Sequence, residues 1–165
     1  MSFLEMMLER KRDLVREKRK GVPLTDLVSL TNRRGREGLF LASLSERLTG
    51  QVKIIAEVKR ASPSRGDLSA SGRDIRGTIL AYEAGGASAL SVLTESSHFK
   101  GSLDDLTLAR EATELPVLRK DFIVDPYEIH EAAAFGADAV LLIAEALERE
   151  EIEDLAALAF VAAGQ

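Results

Sequence analysis

Residues 84–89 and 134–139, fifty positions apart, read Ala84-Gly85-Gly86-Ala87-Ser88-Ala89 and Ala134-Phe135-Gly136-Ala137-Asp138-Ala139. Each is a helix end, a glycine turn and the start of a strand, and the interval between them holds two strand-helix units. A strand that always returns through a helix can only join its neighbour by a right-handed crossover, so the sheet must be parallel. An open doubly wound sheet and a (βα)8 barrel both satisfy this. No Gly-x-Gly-x-x-Gly follows the first strand, which counts against a dinucleotide site and favours the barrel.

Taken in order, residues 1–20 carry Phe3, Leu4, Met7, Leu8 and Leu14 among many charges, the pattern of a helix with one apolar stripe, closed by Gly21 and Pro23. Short helices are expected over 24–30 and 39–48 on either side of a polar, Arg-rich segment, giving a helical extension over residues 1–50. The remainder, 51–165, is expected to hold strands at 54–59, 89–93, 117–123 and 139–144. Between and after them come helices at 74–84, 102–112, 126–135 and 148–163, with Ser102 and Pro126 at two helix starts. Ala163-Gly164-Gln165 reads as one more helix-end turn, yet a barrel of this kind takes about 250 residues against 165 here. The expectation is therefore four strand-helix units of a barrel, with open edges and an exposed interior face that favour self-association.

Composition narrows the chemistry. The chain has no cysteine, so disulfides, thiolate metal sites and a cysteine nucleophile are excluded. A net charge of −5 argues against general nucleic-acid binding, and the basic run over 10–20 reads as a solvated helix face. No stretch approaches the ~20 apolar residues of a membrane span, and no signal-peptide core follows the N-terminus, so a cytoplasmic protein is expected.

The stretch Ile54-Ile55-Ala56-Glu57-Val58-Lys59 reads as a buried strand that places Ile55, Glu57 and Lys59 on one face. Charges are not normally aimed at a core, so a carboxylate and an ammonium at a strand's C-terminal end, ahead of a Ser-Pro-Ser-Arg-Gly turn, suggest a site. The third strand repeats the device, with Leu118, Lys120 and Phe122 on one face and Val117, Arg119 and Asp121 on the other. A lysine desolvated beside Phe122 would release a proton more readily than one in water. His98 and His130 have no partner at ligand spacing and receive no role.

Glu57-Val-Lys59-Arg-Ala-Ser62-Pro63-Ser64, Leu93-Thr-Glu95, Phe99-x-Gly101 and Arg119-Lys120-Asp121-Phe122-Ile-Val-Asp125-Pro126 occur in this order, followed by Gly-Ala-Asp-Ala-Val-Leu-Leu-Ile at the fourth strand. Together they strongly resemble the indole-3-glycerol-phosphate synthase family over nearly the whole chain. The resemblance implies a (βα)8 barrel with an N-terminal extension. It also implies a carbon-carbon lyase that closes and decarboxylates 1-(2-carboxyphenylamino)-1-deoxyribulose 5-phosphate to indole-3-glycerol phosphate, CO2 and water in tryptophan biosynthesis. No metal or organic cofactor is implied. The partner is a small phosphorylated substrate rather than nucleic acid or membrane.

Carried over by resemblance, Lys120 is the general acid at the ketone oxygen, Lys59 contacts a substrate anion and assists proton transfer, and Glu57 orients the lysines. Ser62 matches a residue near the phosphate. Arg60 is a further candidate for the substrate anions, and Phe99, Phe122 and Leu141 resemble the walls around the anthranilate ring. The family's later catalytic residues and its phosphate loops map onto nothing in this sequence, so little activity is expected of these residues alone. The alternative from another class is a non-catalytic module that folds by self-association and keeps these residues by descent. A different phosphosugar barrel, such as phosphoribosylanthranilate isomerase, leaves the two lysines unexplained.

Overall fold

The computed structural model describes residues 2–31, 36–45, 52–62, 66–67 and 74–162. Four parallel strands, β1 (Ile55–Val58), β4 (Ala89–Leu93), β5 (Val117–Lys120) and β6 (Ala139–Val140), form one sheet in that spatial order. Between β1 and β4 the short strands β2 (Ala61–Ser62) and β3 (Gly66–Asp67) pair antiparallel as a hairpin. The helices are α1 (Phe3–Gly21), α2 (Leu24–Leu30), α3 (Leu39–Ser45), α4 (Ile75–Ala84), α5 (Leu103–Ala112), α6 (Pro126–Ala134) and α7 (Arg149–Ala162). Sequential strands are neighbours throughout, as strand-helix-strand crossovers require.

The starts and stops have local causes. Asp74, Ser102 and Asp125 each cap a helix by accepting from a backbone N–H of its first turn, and Ser102 and Asp105 form a reciprocal capping box. Gly86 at φ +85° and Gly136 at φ +90° occupy the left-handed region at matching points of the repeat. At Gly101 the reason is space rather than angle. A Cβ there would lie 2.2 Å from the Leu93 carbonyl oxygen and 2.8 Å from its carbon, because the loop lies flat on the end of β4.

Alternation along the strands divides the sheet into two environments. One face, with Val58, Leu90, Val92 and Val117, packs on Ile75 and Ile79 of α4, Leu106 and Ala109 of α5 and Ala132 of α6. The register Ile55 to Ala89, Glu57 to Ser91 and Leu93 to Lys120 defines the opposite face. That face is open at β1, where Ile55 is 45% exposed, so the expectation of a buried first strand holds only for its Ala56–Val58 side. Two strands are also shorter than expected. β5 ends at Lys120 rather than 123 and β6 at Val140 rather than 144, although Leu141 N–H still donates to the Arg119 carbonyl at 3.2 Å.

The basic helix α1 differs from expectation more sharply. Met7, Leu8, Lys11 and Val15 are its buried residues, whereas Phe3 and Leu14 are substantially exposed. Its basic run is a solvated face only in part, at residues such as Arg16 and Lys20, and the rest turns inward. Lys11 Nζ donates to Asp121 Oδ2 at 2.7 Å and lies 3.4 Å from Glu128, Lys18 pairs with Glu131 at 2.6 Å, and Arg19 pairs with Asp125. The helix docks as a cationic surface on the carboxylates after β5 and on α6. Leu8 adds an apolar anchor among Ile123, Ile129, Ala146, Leu147 and Leu155. Behind it Val15 and Leu27 enclose Tyr127, whose hydroxyl donates to the Val22 carbonyl at 3.2 Å.

Arg119, only 1% exposed, completes this buried cluster, reaching Asp121 at 3.1 Å and Glu131 at 3.0 Å. Three cations, Lys11, Lys18 and Arg119, face three carboxylates, Asp121, Glu128 and Glu131. Burial alone would raise the pKa of Asp121, but Lys11, Arg119 and Thr94 outweigh it and bring it from 3.8 to about 2. Glu128 goes the other way, raised from 4.5 by burial against the pull of Lys11 and Arg119.

Two outcomes follow from this packing. Gly101→Ala forces the loop off β4 and should lower unfolding stability by about 3 kcal/mol in urea titration, whereas an unchanged midpoint would show that the loop yields freely. The folded pKa of Asp121 lies below its unfolded value, so its stabilisation is full above about pH 4 and is lost as pH falls towards 2. Asp121→Asn should therefore be less stable than the parent by about 3 kcal/mol at pH 7, with the gap narrowing between pH 4 and 2. Glu128 has the opposite sign, adding stability as pH falls towards 4.5. Parallel urea curves for the two proteins across that acid range would show that Asp121 is not the titrating group.

Candidate active site

Glu57 and Lys120 stand on strands that are not neighbours, with β4 between them. Two strand spacings are roughly 10 Å, a gap that a glutamate and a lysine can close only by reaching towards each other over the sheet. They do so. Lys120 Nζ donates to Glu57 Oε2 at 2.5 Å, and Lys59 Nζ donates to Glu57 Oε1 at 2.6 Å, so each carboxylate oxygen takes one ammonium.

Burial acts to raise the pKa of Glu57, but the bonds from Lys120 and Lys59 prevail and hold it below the ordinary carboxylate range. One carboxylate between two ammonium groups leaves a net charge of +1 at the C-terminal ends of parallel strands, where such folds collect ligands. The pairs are not dry. Lys120 keeps 39% of its side-chain exposure and Lys59 36%, so the expectation of a desolvated Lys120 is not met in the described residues.

The apolar candidates lie on the same strand ends and in the loop after β4. Phe122 follows Lys120 by one strand period, Phe99 lies in the loop after β4, and Leu141 continues from β6, all half-buried. Helix α1 adds an aromatic that the sequence reading assigned only to a core stripe. The Phe3 ring meets His98 edge-on at 5.1 Å and 87° and Phe122 at 6.5 Å and 70°, geometry that suits aromatic quadrupoles.

The loop carrying Phe99 is held by Glu95, a buried carboxylate to which sequence reasoning gave no role. Its oxygens accept from the N–H groups of Ser97 and His98 at 2.7 Å and Phe99 at 3.3 Å, and from the Ser97 hydroxyl. Burial acts to raise its pKa and these donors overcome it, keeping it below the usual range. The legible signal for this loop was the Phe99-x-Gly101 spacing rather than the glutamate itself.

Two further candidates stand apart from the trio. Arg60 directs its guanidinium to Asp105, Nε to Oδ2 at 3.1 Å and Nη2 to Oδ1 at 2.5 Å, so its fork ties the β1 end to the start of α5 instead of meeting the lysines. Ser62 lies in β2 opposite Gly66, and Ala61 N–H joins this hairpin to the Phe99 carbonyl at 3.1 Å. Pro63, Ser64 and Arg65 lie outside the described residues. Among the described residues no helix is long and apolar enough to cross a membrane, and no three His, Asp or Glu side chains are grouped to hold a metal ion.

Residues 4–162 match the family model described as "Indole-3-glycerol phosphate synthase". The chain belongs to the indole-3-glycerol phosphate synthase family. A protein of that name from Desulfosudis oleivorans is 45% identical over 157 residues, which are 94% of this chain and 59% of that protein. One from Mycobacterium sp. (strain KMS) is 48% identical over 154 residues, 93% of this chain and 55% of that protein. One from Mycolicibacterium gilvum is 62% identical over 104 residues, 63% of this chain and 38% of that protein. The chain thus spans between 38% and 59% of the length of these curated relatives. The family match takes in α1 as well as the sheet, so the helix is a family feature here and not an appendage.

Glu57→Gln removes the acceptor charge shared by both lysines. The expected result is unchanged global stability within about 1 kcal/mol, as for other half-exposed pairs, with loss of the protected Lys59 and Lys120 Nζ signals in nitrogen-detected NMR at low temperature. Retention of both signals would mean that other groups hold the ammonium ions.

Proposed function

We propose that this chain supplies the first four βα units of a (βα)8 barrel, residues 51–165, behind a helical extension of residues 1–50. In this reading it carries the early catalytic residues of an indole-3-glycerol-phosphate synthase. The observation that carries it is the Glu57 carboxylate bridging Lys59 and Lys120 at the C-terminal ends of two parallel strands.

The reaction is ring closure of 1-(2-carboxyphenylamino)-1-deoxyribulose 5-phosphate. The aromatic carbon bearing the carboxylate attacks the ketone carbon, and the ketone oxygen needs a proton as the new bond forms. CO2 then leaves, restoring the aromatic ring, and loss of the hydroxyl as water completes the indole. Lys120 is the acid at that oxygen, where an ammonium both donates the proton and stabilises the developing negative charge. Lys59 is the point charge for a substrate anion and a partner in proton transfer. Glu57 holds both ammonium groups at hydrogen-bond distance before substrate arrives, so their order is set in advance.

Phe99, Phe122 and Leu141 supply apolar walls for the anthranilate ring, and Phe3 stands at the edge of the same group. Ser62 is placed for the phosphate side by resemblance. Arg60 acts on the site indirectly in this reading, by fixing the end of β1 against α5 through Asp105. The open inner face, where Ile55 is about half exposed, supports coverage by further barrel units or by a second copy. The non-catalytic module receives no support from the relatives, which carry the synthase name.

The test is indole fluorescence on addition of the carboxyphenylamino-deoxyribulose phosphate. It is measured for the chain alone and for the chain extended by the remaining units of the Desulfosudis oleivorans relative. Lys120→Ala should lower whatever turnover is seen by about 10²–10⁴-fold, with Arg16→Ala, on the exposed side of α1, unchanged. Undiminished turnover in Lys120→Ala would remove the lysine from the reaction.

A further inference from the structure

Asp121 stands directly beside Lys120 in sequence but on the opposite face of the strand, and four separate donors meet there. Oδ2 accepts from Lys11 Nζ of α1 at 2.7 Å, from the Thr94 hydroxyl at the end of β4 at 2.7 Å and from Arg119 Nη2 at 3.1 Å. Oδ1 accepts from the Phe122 N–H at 2.9 Å. Lys11 is 7% exposed and Asp121 3%. The same helix carries Phe3 onto Phe122 and His98, two helical turns away from Lys11. Helix α1 thus touches the Lys120–Phe122 segment twice, through a charge behind it and a ring in front of it.

We propose that Lys11 is a positioning residue, and that its bond to Asp121 makes the docking of α1 and the conformation of the strand end bearing Lys120 and Phe122 one cooperative unit. If α1 leaves, Asp121 and Glu128 lose Lys11 and Glu131 loses Lys18, so that Arg119 alone faces the three carboxylates. Uncompensated buried charge is costly enough that Asp121 must rotate towards water or take up a proton. Rotation releases the Phe122 N–H and the Thr94 hydroxyl, and protonation weakens the carboxyl as their acceptor. The bonds that hold Lys120 at its position in the register are then lost or weakened, and Phe122 loses the Phe3 ring. The alternative is a helix held by Leu8 and its apolar cluster alone, which would come and go with no effect on the strand end. The inference concerns conformation and stands whether or not Lys120 is the acid of the reaction.

Native-state hydrogen exchange on the unaltered protein tests it first. In a cooperative unit the Phe122 amide opens with the central amides of α1, so their protection factors should agree within about threefold and share one denaturant dependence. A Phe122 amide that stays protected at least about 30-fold longer than the α1 amides would overturn the proposal. The second arm compares Lys11→Met with Lys11→Arg by NMR. Lys11→Met should lose the Phe3–His98 and Phe3–Phe122 ring contacts and shift the Phe122 amide, and Lys11→Arg should restore all three, because a guanidinium can still serve Asp121. Loss of the ring contacts with an unmoved Phe122 amide overturns the coupling, and retention of the ring contacts in Lys11→Met overturns the role of Lys11. Should Lys11→Met fail to fold, the exchange measurement on the parent decides alone.

Discussion

The Asp121 carboxylate is the point on which the described structure turns, because it is buried, charged and shared. A carboxylate in an apolar setting is destabilising unless its oxygens are filled, and here they are filled from α1, from the end of β4 and from β5 itself. No two of those elements are adjacent in sequence, so satisfying one side chain fixes the relative placement of three. The rest of the cluster follows from charge balance. Arg119 cannot lose its proton and therefore requires carboxylates, which Asp121, Glu128 and Glu131 provide, and their surplus charge in turn requires Lys11 and Lys18. A basic N-terminal helix is thus needed by the inside of the fold.

The segment Arg119-Lys120-Asp121-Phe122 shows how a two-residue period lets one strand end serve two purposes. Odd positions enter the buried cluster behind the sheet, while even positions meet Glu57 and Phe3 on the open face. A slip of one residue would send Lys120 into the buried cations and Arg119 to the site. The carbonyl of Lys120 accepts from the Thr94 N–H at 3.1 Å and that of Arg119 from Leu141 at 3.2 Å, which pins the register where an error would do most harm. Structural and chemical demands on the motif are therefore inseparable at the backbone.

Much of the fold was legible because it rests on local rules. Glycine turns at 86 and 136, helix starts at Ser102 and Pro126, and alternation in 54–59 and 117–123 each act within a few residues, and the parallel sheet follows from them. The meeting of Glu57, Lys59 and Lys120 was legible in part, since strand period put each on a predictable face. That a single carboxylate would serve both lysines across an intervening strand depends on register, which no single segment encodes. The inward-facing part of the basic run in α1, Lys11 above all, was hidden for the same reason. A charge run is a solvated face unless an acidic surface stands opposite, and the acids here lie more than 100 positions later, at Asp121, Asp125, Glu128 and Glu131. Glu95 and Arg60 were obscure because their partners are loop amides and the first turn of α5, contacts that have no sequence period.

The two ionic groups obey opposite electrostatic requirements, and this explains why they are kept on opposite faces. The cluster around Asp121 is dry, so its attractions are strong and its geometry has little freedom, which suits a scaffold. The trio around Glu57 retains more than a third of the exposure of each lysine, so each pair is weakened by water and can be exchanged for another anion. A lysine locked to a buried carboxylate could neither release its proton nor turn to a ligand. Lys120 is placed by its bond to Glu57 and stays open to water, while the dry cluster begins one residue away on the other side of the strand.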